Sequence, residues 1–300
     1  MGAGSETIGS NDIAEAVRIL EDIYDVVRVV DPMQNTVVYV SNKADPVSMH
    51  RDTCYAFWEK EKFCDNCVSF RAVTERDTFV KFEVVDGLVY MITASPVEFQ
   101  GACYAVEMFN DITNKGILEN IAGKNSKDFT SIVLRFNDAL MRDELTQLYN
   151  RRYINERLPV EIFRNLAEET PAALVIVDID QFKKKNDKFG HVAGDMILQQ
   201  FARLLVDNIP QGLNWAARYG GDEFLVYLHH VDGEQALESV ERLRKRIEDT
   251  QFAIPDGVIG ITCSLGICTL KKPMNMIEWI DHADKKLYAA KAGGGNKAVL

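Results

Sequence analysis

Arg218-Tyr219-Gly220-Gly221-Asp222-Glu223-Phe224 lies between Leu213-Asn214-Trp215-Ala216-Ala217 and Leu225-Val226-Tyr227-Leu228. Both flanks are apolar or aromatic enough to form strands, and two adjacent glycines between such runs predict a tight hairpin. Glycine accepts positive φ and has no Cβ, so another backbone or a phosphate can come close to Gly220 and Gly221. Asp222 and Glu223 follow at once, one directed to each face of the outgoing strand. Carboxylates beside bare backbone suit a divalent cation and an anionic ligand. Taken alone, the stretch is equally well explained as an acidic surface turn.

A second stretch shifts that balance. Leu174-Val175-Ile176-Val177 is a short β-branched run that ends in Asp178-Ile179-Asp180, followed by Gln181-Phe182-Lys183-Lys184-Lys185-Asn186 and Asp187-Lys188-Phe189-Gly190-His191. A buried strand ending in Asp-x-Asp delivers hard oxygen ligands to a sheet edge. Lys183 follows closely enough to meet a phosphate. Two carboxylate stations and a lysine describe metal-assisted phosphoryl transfer better than solvated charges at a strand end.

These residues resemble the GGDEF domain of diguanylate cyclases, which condense two GTP molecules into cyclic di-GMP. The resemblance runs from Asp143 to the C-terminus. It takes in Asp143-Glu144-Leu145-Thr146-Gln147-Leu148-Tyr149-Asn150-Arg151-Arg152, the Asp178 stretch, Gly194-Asp195 and the hairpin. It continues through Thr262-Cys263-Ser264-Leu265-Gly266-Ile267 and Ala283-Asp284-Lys285-Lys286-Leu287-Tyr288-Ala289-Ala290-Lys291. The fold it implies is α/β: a nucleotide-cyclase or polymerase-palm-like sheet flanked by helices.

The resemblance also implies site residues. Asp178, the Ile179 carbonyl and Asp222 would hold Mg2+, two ions per site, with Mn2+ as an alternative. Asp222, assisted by Glu223, would be the general base or a second-metal ligand. Lys183, Lys291 and backbone amides near Phe182 would contact the triphosphate, with Gly220 and Gly221 giving it room. Asn186 and Asp195 would read guanine, and His191 would hold the loop by a hydrogen bond. Cyclisation requires two facing GTP-loaded domains, hence a homodimer, and the product would act on downstream cyclic di-GMP receptors. The alternative is a weakly active or inactive GGDEF protein that signals by binding GTP or cyclic di-GMP.

Three positions depart from the family pattern. Gln211-Gly212-Leu213-Asn214 replaces the Arg-x-x-Asp of a product-binding inhibitory site, Gln147 stands where glycine is usual, and Gly293-Gly294-Gly295-Asn296 lacks the arginine of Gly-Arg-Asn. Lys297 is the cation nearest that gap.

The 300 residues suggest two domains of roughly 150 each. The formal charge of -11, most of it arising before residue 140, argues against a nucleic-acid partner. No apolar run approaches the roughly 18 residues of a membrane helix and no signal peptide opens the chain, so a cytoplasmic protein without a membrane partner is expected.

Residues 1–23 read as a polar tail and a helix capped by Asn11 or Asp12, with an apolar stripe of Ile13, Val17, Leu20 and Ile23. Strands are predicted at 26–30, 36–40, 79–85, 88–95 and 102–110 around a helical middle, with Asp86-Gly87 as a hairpin turn. That pattern over 24–113, closed by Asn110-Asp111-Ile112-Thr113, resembles a PAS sensory domain, an α+β fold whose ligand is not encoded in any transferable motif. Residues 114–142 read as a helical linker, either packed on a surface or paired as a coiled coil, before a catalytic domain at 143–300.

Of the six cysteines, Cys263 and Cys268 read as core residues. Cys54, Cys64 and Cys67 cluster with Cys-x2-Cys spacing, and His50 or Cys103 is available as a fourth zinc ligand; packing thiols are the competing reading.

Overall fold

The computed structural model describes residues 10–41, 53–58, 64, 67–85, 87–113, 140–210, 212–271 and 274–300. The chain divides into two compact units, Met1–Asp138 and Ala139–Leu300. The expected linker between 114 and 139, His50, Asp86 and Gln211 lie outside the described residues. None of the helices among the described residues is long and apolar enough to cross a membrane.

The first unit begins with α1 (Ser10–Glu21), whose Val17 is buried and whose Leu20 packs on the sheet, while Ile23, beyond the helix end, is exposed. Its strands are β1 (Val26–Asp31), β2 (Thr36–Val40), β3 (Phe79–Val85), β4 (Leu88–Phe99) and β5 (Ala102–Asp111). They form one antiparallel sheet in the order β2-β1-β5-β4-β3. Strand β4 continues past the expected Ser95 through Pro96, because its pairing with β5 is unbroken from Tyr90 to Phe99. Helix α2 (Val68–Glu75) turns Val68, Ala72 and Val73 onto Ile92, Ala94 and Phe109.

This core contains a charge. The Arg28 guanidinium is buried, ion-paired with Glu107, and donates to the Cys54 carbonyl at 3.0 Å. Ser69 donates to the other Glu107 oxygen. The rings of Phe57, Trp58 and Phe109 surround the guanidinium at 5.1, 5.5 and 5.2 Å. Cys54 and Cys64 are buried in the same core, and Cys67 caps α2 by accepting from the Phe70 amide at 3.4 Å. Burial pushes the Cys67 thiol up to about 11 and the Cys54 thiol further, so both stay protonated. Among the described residues, no three His, Cys, Asp or Glu side chains form a group that could hold a metal.

The second unit is built on β6 (Ala172–Ile179), buried at all eight positions. A strand covered on both faces needs a continuous apolar run, and Ala172-Ala173-Leu174-Val175-Ile176-Val177 supplies it. With β7 (Trp215–Gly220), β8 (Glu223–His229), β11 (Cys263–Thr269) and β12 (Ala298–Val299) it forms a sheet ordered β12-β11-β6-β8-β7. Pairing is antiparallel except between β11 and β12. A separate hairpin, β9 (Gln251–Ile254) and β10 (Gly257–Gly260), lies beside it in sequence.

One face of the sheet is covered by α5 (His191–Asn208) and α6 (Gly233–Glu248), with Ile197, Phe201, Val240 and Ile247 in the shared core. The other is covered by α3 (Arg151–Glu168) and α7 (Met276–Ala292), through Ile154, Leu158, Trp279 and Leu287. Asp232 with Gln235 and Asn275 with Glu278 close capping boxes on α6 and α7, fixing where each helix starts. The short α4 (Phe182–Phe189) completes the unit.

Glu107→Ala leaves the Arg28 charge buried without its counter-ion and is expected to destabilise the first unit by about 3–5 kcal/mol. A urea titration followed by the fluorescence of Trp58 reads the loss; an unshifted midpoint would show the pair to be dispensable.

Candidate active site

The register of β6 against β8 sets the site. Asp178 lies directly opposite Glu223, and the Ile179 amide donates to the Asp222 carbonyl at 3.4 Å. Residues opposed across antiparallel strands point to the same face, so Asp178 and Glu223 share a face while Asp222 sits in the turn. The turn itself is Gly221-Asp222 between two strands, with Gly221 at φ +47 and a bulge between Arg218 and Gly220. Asp178 and Asp222 come to the same edge of the sheet, at the ends of paired strands.

Both line a cleft of about 460 Å3 together with Ile179, Phe182, Lys183 and Lys291. Lys291, in the last turn of α7, places its ammonium 2.6 Å from Asp178 Oδ2. Burial pushes the Asp178 carboxyl up to about 6, against the Lys291 ammonium that favours the charged form, and the like charges of Asp222 and Glu223 add to the rise. Crowded carboxylates neutralised by one lysine are a donor set in want of positive charge, which fits a divalent cation. Among the described residues no three His, Cys, Asp or Glu side chains close on one point. Glu223 also lines a neighbouring groove of about 500 Å3 with Arg151, Tyr219 and Asp284.

The remaining expected residues gather on α4 and α5. Lys183 is exposed in the first turn of α4, whose start at Phe182 is buried beside the end of β6. Asn186 lies against α5 because Gly194 lacks a side chain: a Cβ there would sit 1.8 Å from Asn186 Oδ1. That oxygen is buried and accepts no hydrogen bond. Asp195 follows Gly194 on the exposed side of α5, and His191 is exposed at the first position of that helix. Asp180 differs from a metal ligand: its oxygens accept from Thr262 Oγ1, Ser264 Oγ and the Asn296 amide. Lys297 does not fill the gap left by the missing arginine, since its ammonium donates to the Gly293 carbonyl at 2.9 Å.

Two further residues hold the hairpin. Arg218 donates to both Asp143 oxygens at 3.1 and 3.2 Å, and to the Gly221 carbonyl at 3.0 and 2.8 Å. Although burial pushes the Asp143 carboxyl up, hydrogen bonds from Thr146 and Arg218 hold it below the usual carboxylate range. One guanidinium thus ties the start of the unit to the turn carrying Asp222. Nothing in the local pattern around Arg218 signals this, because its partner Asp143 is 75 positions away. Gln147, where glycine is usual, adopts φ +60 and donates its amide side chain to the Glu144 carbonyl at 2.8 Å.

Arg218→Ala is expected to lower stability by about 2 kcal/mol and to speed amide exchange at Gly220–Glu223. Arg218→Lys should not rescue it, because one ammonium cannot serve both partners as a fork does; unchanged exchange would refute the clamp. Gln147→Gly relieves a left-handed side-chain position worth about 1 kcal/mol and should raise the thermal midpoint; a fall would show that the Glu144 hydrogen bond outweighs the strain.

With the geometry in view, known proteins can be set beside it. The family profile described as "Diguanylate cyclase, GGDEF domain" matches residues 140–297. The diguanylate cyclase DosC of Escherichia coli K12 is 35% identical over 159 residues, 53% of this chain and 34% of that protein. The response regulator PleD of Caulobacter vibrioides is 35% identical over 160 residues, 52% of this chain and 35% of that protein. The chain thus aligns with about a third of the length of these relatives. Among solved structures, the coiled coil and GGDEF domain of DgcB from Caulobacter crescentus, in complex with c-di-GMP, is similar at TM-score 0.55 and 25% identity, covering 58% of this chain and 92% of that one. The diguanylate cyclase SiaD of Pseudomonas aeruginosa, in complex with its activator SiaC, is similar at TM-score 0.53 and 28% identity, covering 62% and 71%. A profile match spanning more than half of the chain, over the strands and hairpin that converge on Asp178, makes this protein a member of the GGDEF-domain diguanylate cyclase family.

Proposed function

We propose that the protein is a diguanylate cyclase that joins two GTP molecules into cyclic di-GMP with release of two pyrophosphates. The observation that carries this reading is the shared lining of one cleft by Asp178, Asp222, Lys183 and Lys291. In each half-reaction the 3′-hydroxyl of one GTP attacks the α-phosphorus of the other; the new P–O bond forms as the bond to pyrophosphate breaks. Bound Mg2+ would be held by Asp178, the Ile179 carbonyl and Asp222, and supplies charge neutralisation on phosphate oxygens and a lower pKa for the attacking hydroxyl.

The residues of the chain do the rest. Asp222, assisted by Glu223 at the next position of the hairpin, would take the hydroxyl proton or hold a second metal. Lys183, Lys291 and the amides at the start of α4 grip the triphosphate. The bare Asn186 Oδ1 offers a buried acceptor to a purine edge. Asp195 would accept from the N1–H and exocyclic amine of guanine, a donor pair that adenine lacks. A polar match of this kind rejects the wrong base by leaving the donors and acceptors unpaired.

Both half-reactions need two loaded domains face to face, so the active species is a homodimer. The first unit is read as a PAS-like sensor: five antiparallel strands in the order β2-β1-β5-β4-β3, with α2 packed on the sheet, support that reading. A binding-only signalling role is the second reading, favoured by Gly295 in place of the family arginine. Product binding at the position of Arg-x-x-Asp has little support, because Asn214 is engaged with the Pro210 carbonyl at 2.8 Å and the His229 amide at 2.7 Å.

Incubating the full chain with GTP and Mg2+ and separating the products by chromatography is expected to yield cyclic di-GMP; no product beyond GTP itself would support the binding-only role. Asp178→Asn should cut turnover by about 100-fold or more, and chelating the metal should abolish it. Asp195→Ser should relax base selectivity, so an unchanged GTP preference in competition with ATP would count against the assigned guanine contact.

A further inference from the structure

Asp180 ends the same strand as Asp178, two residues on, yet its carboxylate is already in use. Oδ2 accepts from Thr262 Oγ1 at 2.7 Å and from the Asn296 amide at 2.9 Å, and Oδ1 accepts from Ser264 Oγ at 2.7 Å. A carboxylate offers about four lone-pair sites, so three are taken and one, on Oδ1, is left. The donors come from two distant parts of the chain: the start of β11 and the turn that follows α7.

That turn cannot hold itself. Gly294, Gly295 and Asn296 have φ of +103, +75 and +49 in succession, a left-handed run that side chains resist. Within the turn, Gly294 donates to the Lys291 carbonyl and Gly295 to the Ala290 carbonyl, both at 3.1 Å, so its conformation is continuous with the end of α7. On its outer side the Asn296 side chain accepts from Arg244 at 2.8 Å and donates to Glu248 at 2.7 Å. On its inner side the anchor is Asp180, so close that a Cβ on Gly295 would lie 3.1 Å from Oδ1. Lys291, Gly294 and Gly295 all line the cleft that contains Asp178.

We propose that Asp180 is a positioning residue for the nucleotide: it leaves the metal to its neighbours and locks the glycine turn, and with it the Lys291 end of α7, against the triphosphate side of the cleft. The proposal rests on the GTP reading above. It separates the two acids of Asp178-Ile179-Asp180 by role. The first needs its negative charge, and the second needs only its acceptors.

The test compares Asp180→Ala, Asp180→Asn and Asp178→Asn in the full chain. Three quantities are read: Mn2+ affinity by electron paramagnetic resonance, affinity for 3′-deoxy-GTP (which lacks the attacking hydroxyl), and amide exchange at Asn296. Asp180→Ala is expected to weaken 3′-deoxy-GTP about tenfold, to speed exchange at Asn296 and to leave Mn2+ affinity unchanged. Asp180→Asn keeps an acceptor for the Asn296 amide and a donor for a rotated Thr262 or Ser264 hydroxyl, so it should restore most of the nucleotide affinity. Asp178→Asn should lose Mn2+.

An Asp180→Asn protein that loses Mn2+ as Asp178→Asn does would make Asp180 a metal ligand and overturn the proposal, as would unchanged Asn296 exchange in Asp180→Ala. If Asp180→Ala does not fold, Thr262→Val removes one donor alone and should shift nucleotide affinity and exchange the same way; no shift refutes the clamp. Should the native protein bind no 3′-deoxy-GTP, the cyclase reading fails, while exchange at Asn296 still decides whether the clamp exists.

Discussion

The pairing of β6 with β8 forces Asp178 and Glu223 opposite one another at the end of a strand buried along its whole length. Like charges in that position oppose folding, and burial compounds the effect by pushing Asp178 up to about 6. A one-residue slip would relieve the repulsion but would exchange the side chains that β6 packs into the two cores, Val175 and Val177 on one side and Leu174 and Ile176 on the other. The hydrophobic register therefore holds the acids together, and Lys291 at 2.6 Å supplies the nearest positive charge. The core stores, at one edge, an electrostatic demand that a cation and a polyanion can jointly meet.

The first unit buries charge as well. Arg28 and Glu107 form an ion pair inside the core, with Ser69 and the Cys54 carbonyl making further bonds; Arg28 Nη1 makes none, and three aromatic rings pack around the guanidinium. Lys81 is likewise buried and meets Glu83 at 3.0 Å. Such pairs contribute little net stability but are sharply destabilising when halved, which favours a single arrangement of the strands that carry them. The second unit closes buried pairs too, Arg157 and Arg164 on Glu161, so the crowding of acids at Asp178 belongs to that strand end rather than to the unit.

Much of this was readable in the amino-acid order. The apolar run ending at Asp178, the paired glycines and the strand-forming stretches Val26–Val30 and Phe79–Val85 are local signals, and each appears as a strand or turn where expected. What could not be read depends on contacts between distant residues. The division between Asp222 in the turn and Glu223 opposite Asp178 comes from register; the hold of Arg218 on Asp143 and Gly221 comes from topology. The role of Asp180 was likewise hidden, because its donors Thr262, Ser264 and Asn296 lie more than 80 positions away. Strand β4 outran its expected end because cross-strand pairing with β5 outweighed the interruption at Pro96.

The departures from the family pattern follow from the same contacts. An arginine at position 295 would need the left-handed backbone that Gly295 adopts at φ +75, and its Cβ would press on Asp180. The glycine is therefore one part of a rebuilt turn, with Asn296 tied to Arg244 and Glu248 outside and to Asp180 inside. Lys297 belongs to that turn as well, bonded to the Gly293 carbonyl. Restoring the arginine alone would strain the turn without recreating the surroundings it fits elsewhere. The cation left at this wall of the cleft is Lys291, and its reach to Asp178 is set by where the turn holds the end of α7. On the proposed reading the triphosphate meets Lys183, Lys291 and backbone amides, none of them a fork, which makes the anchoring of the turn matter more than it would beside an arginine.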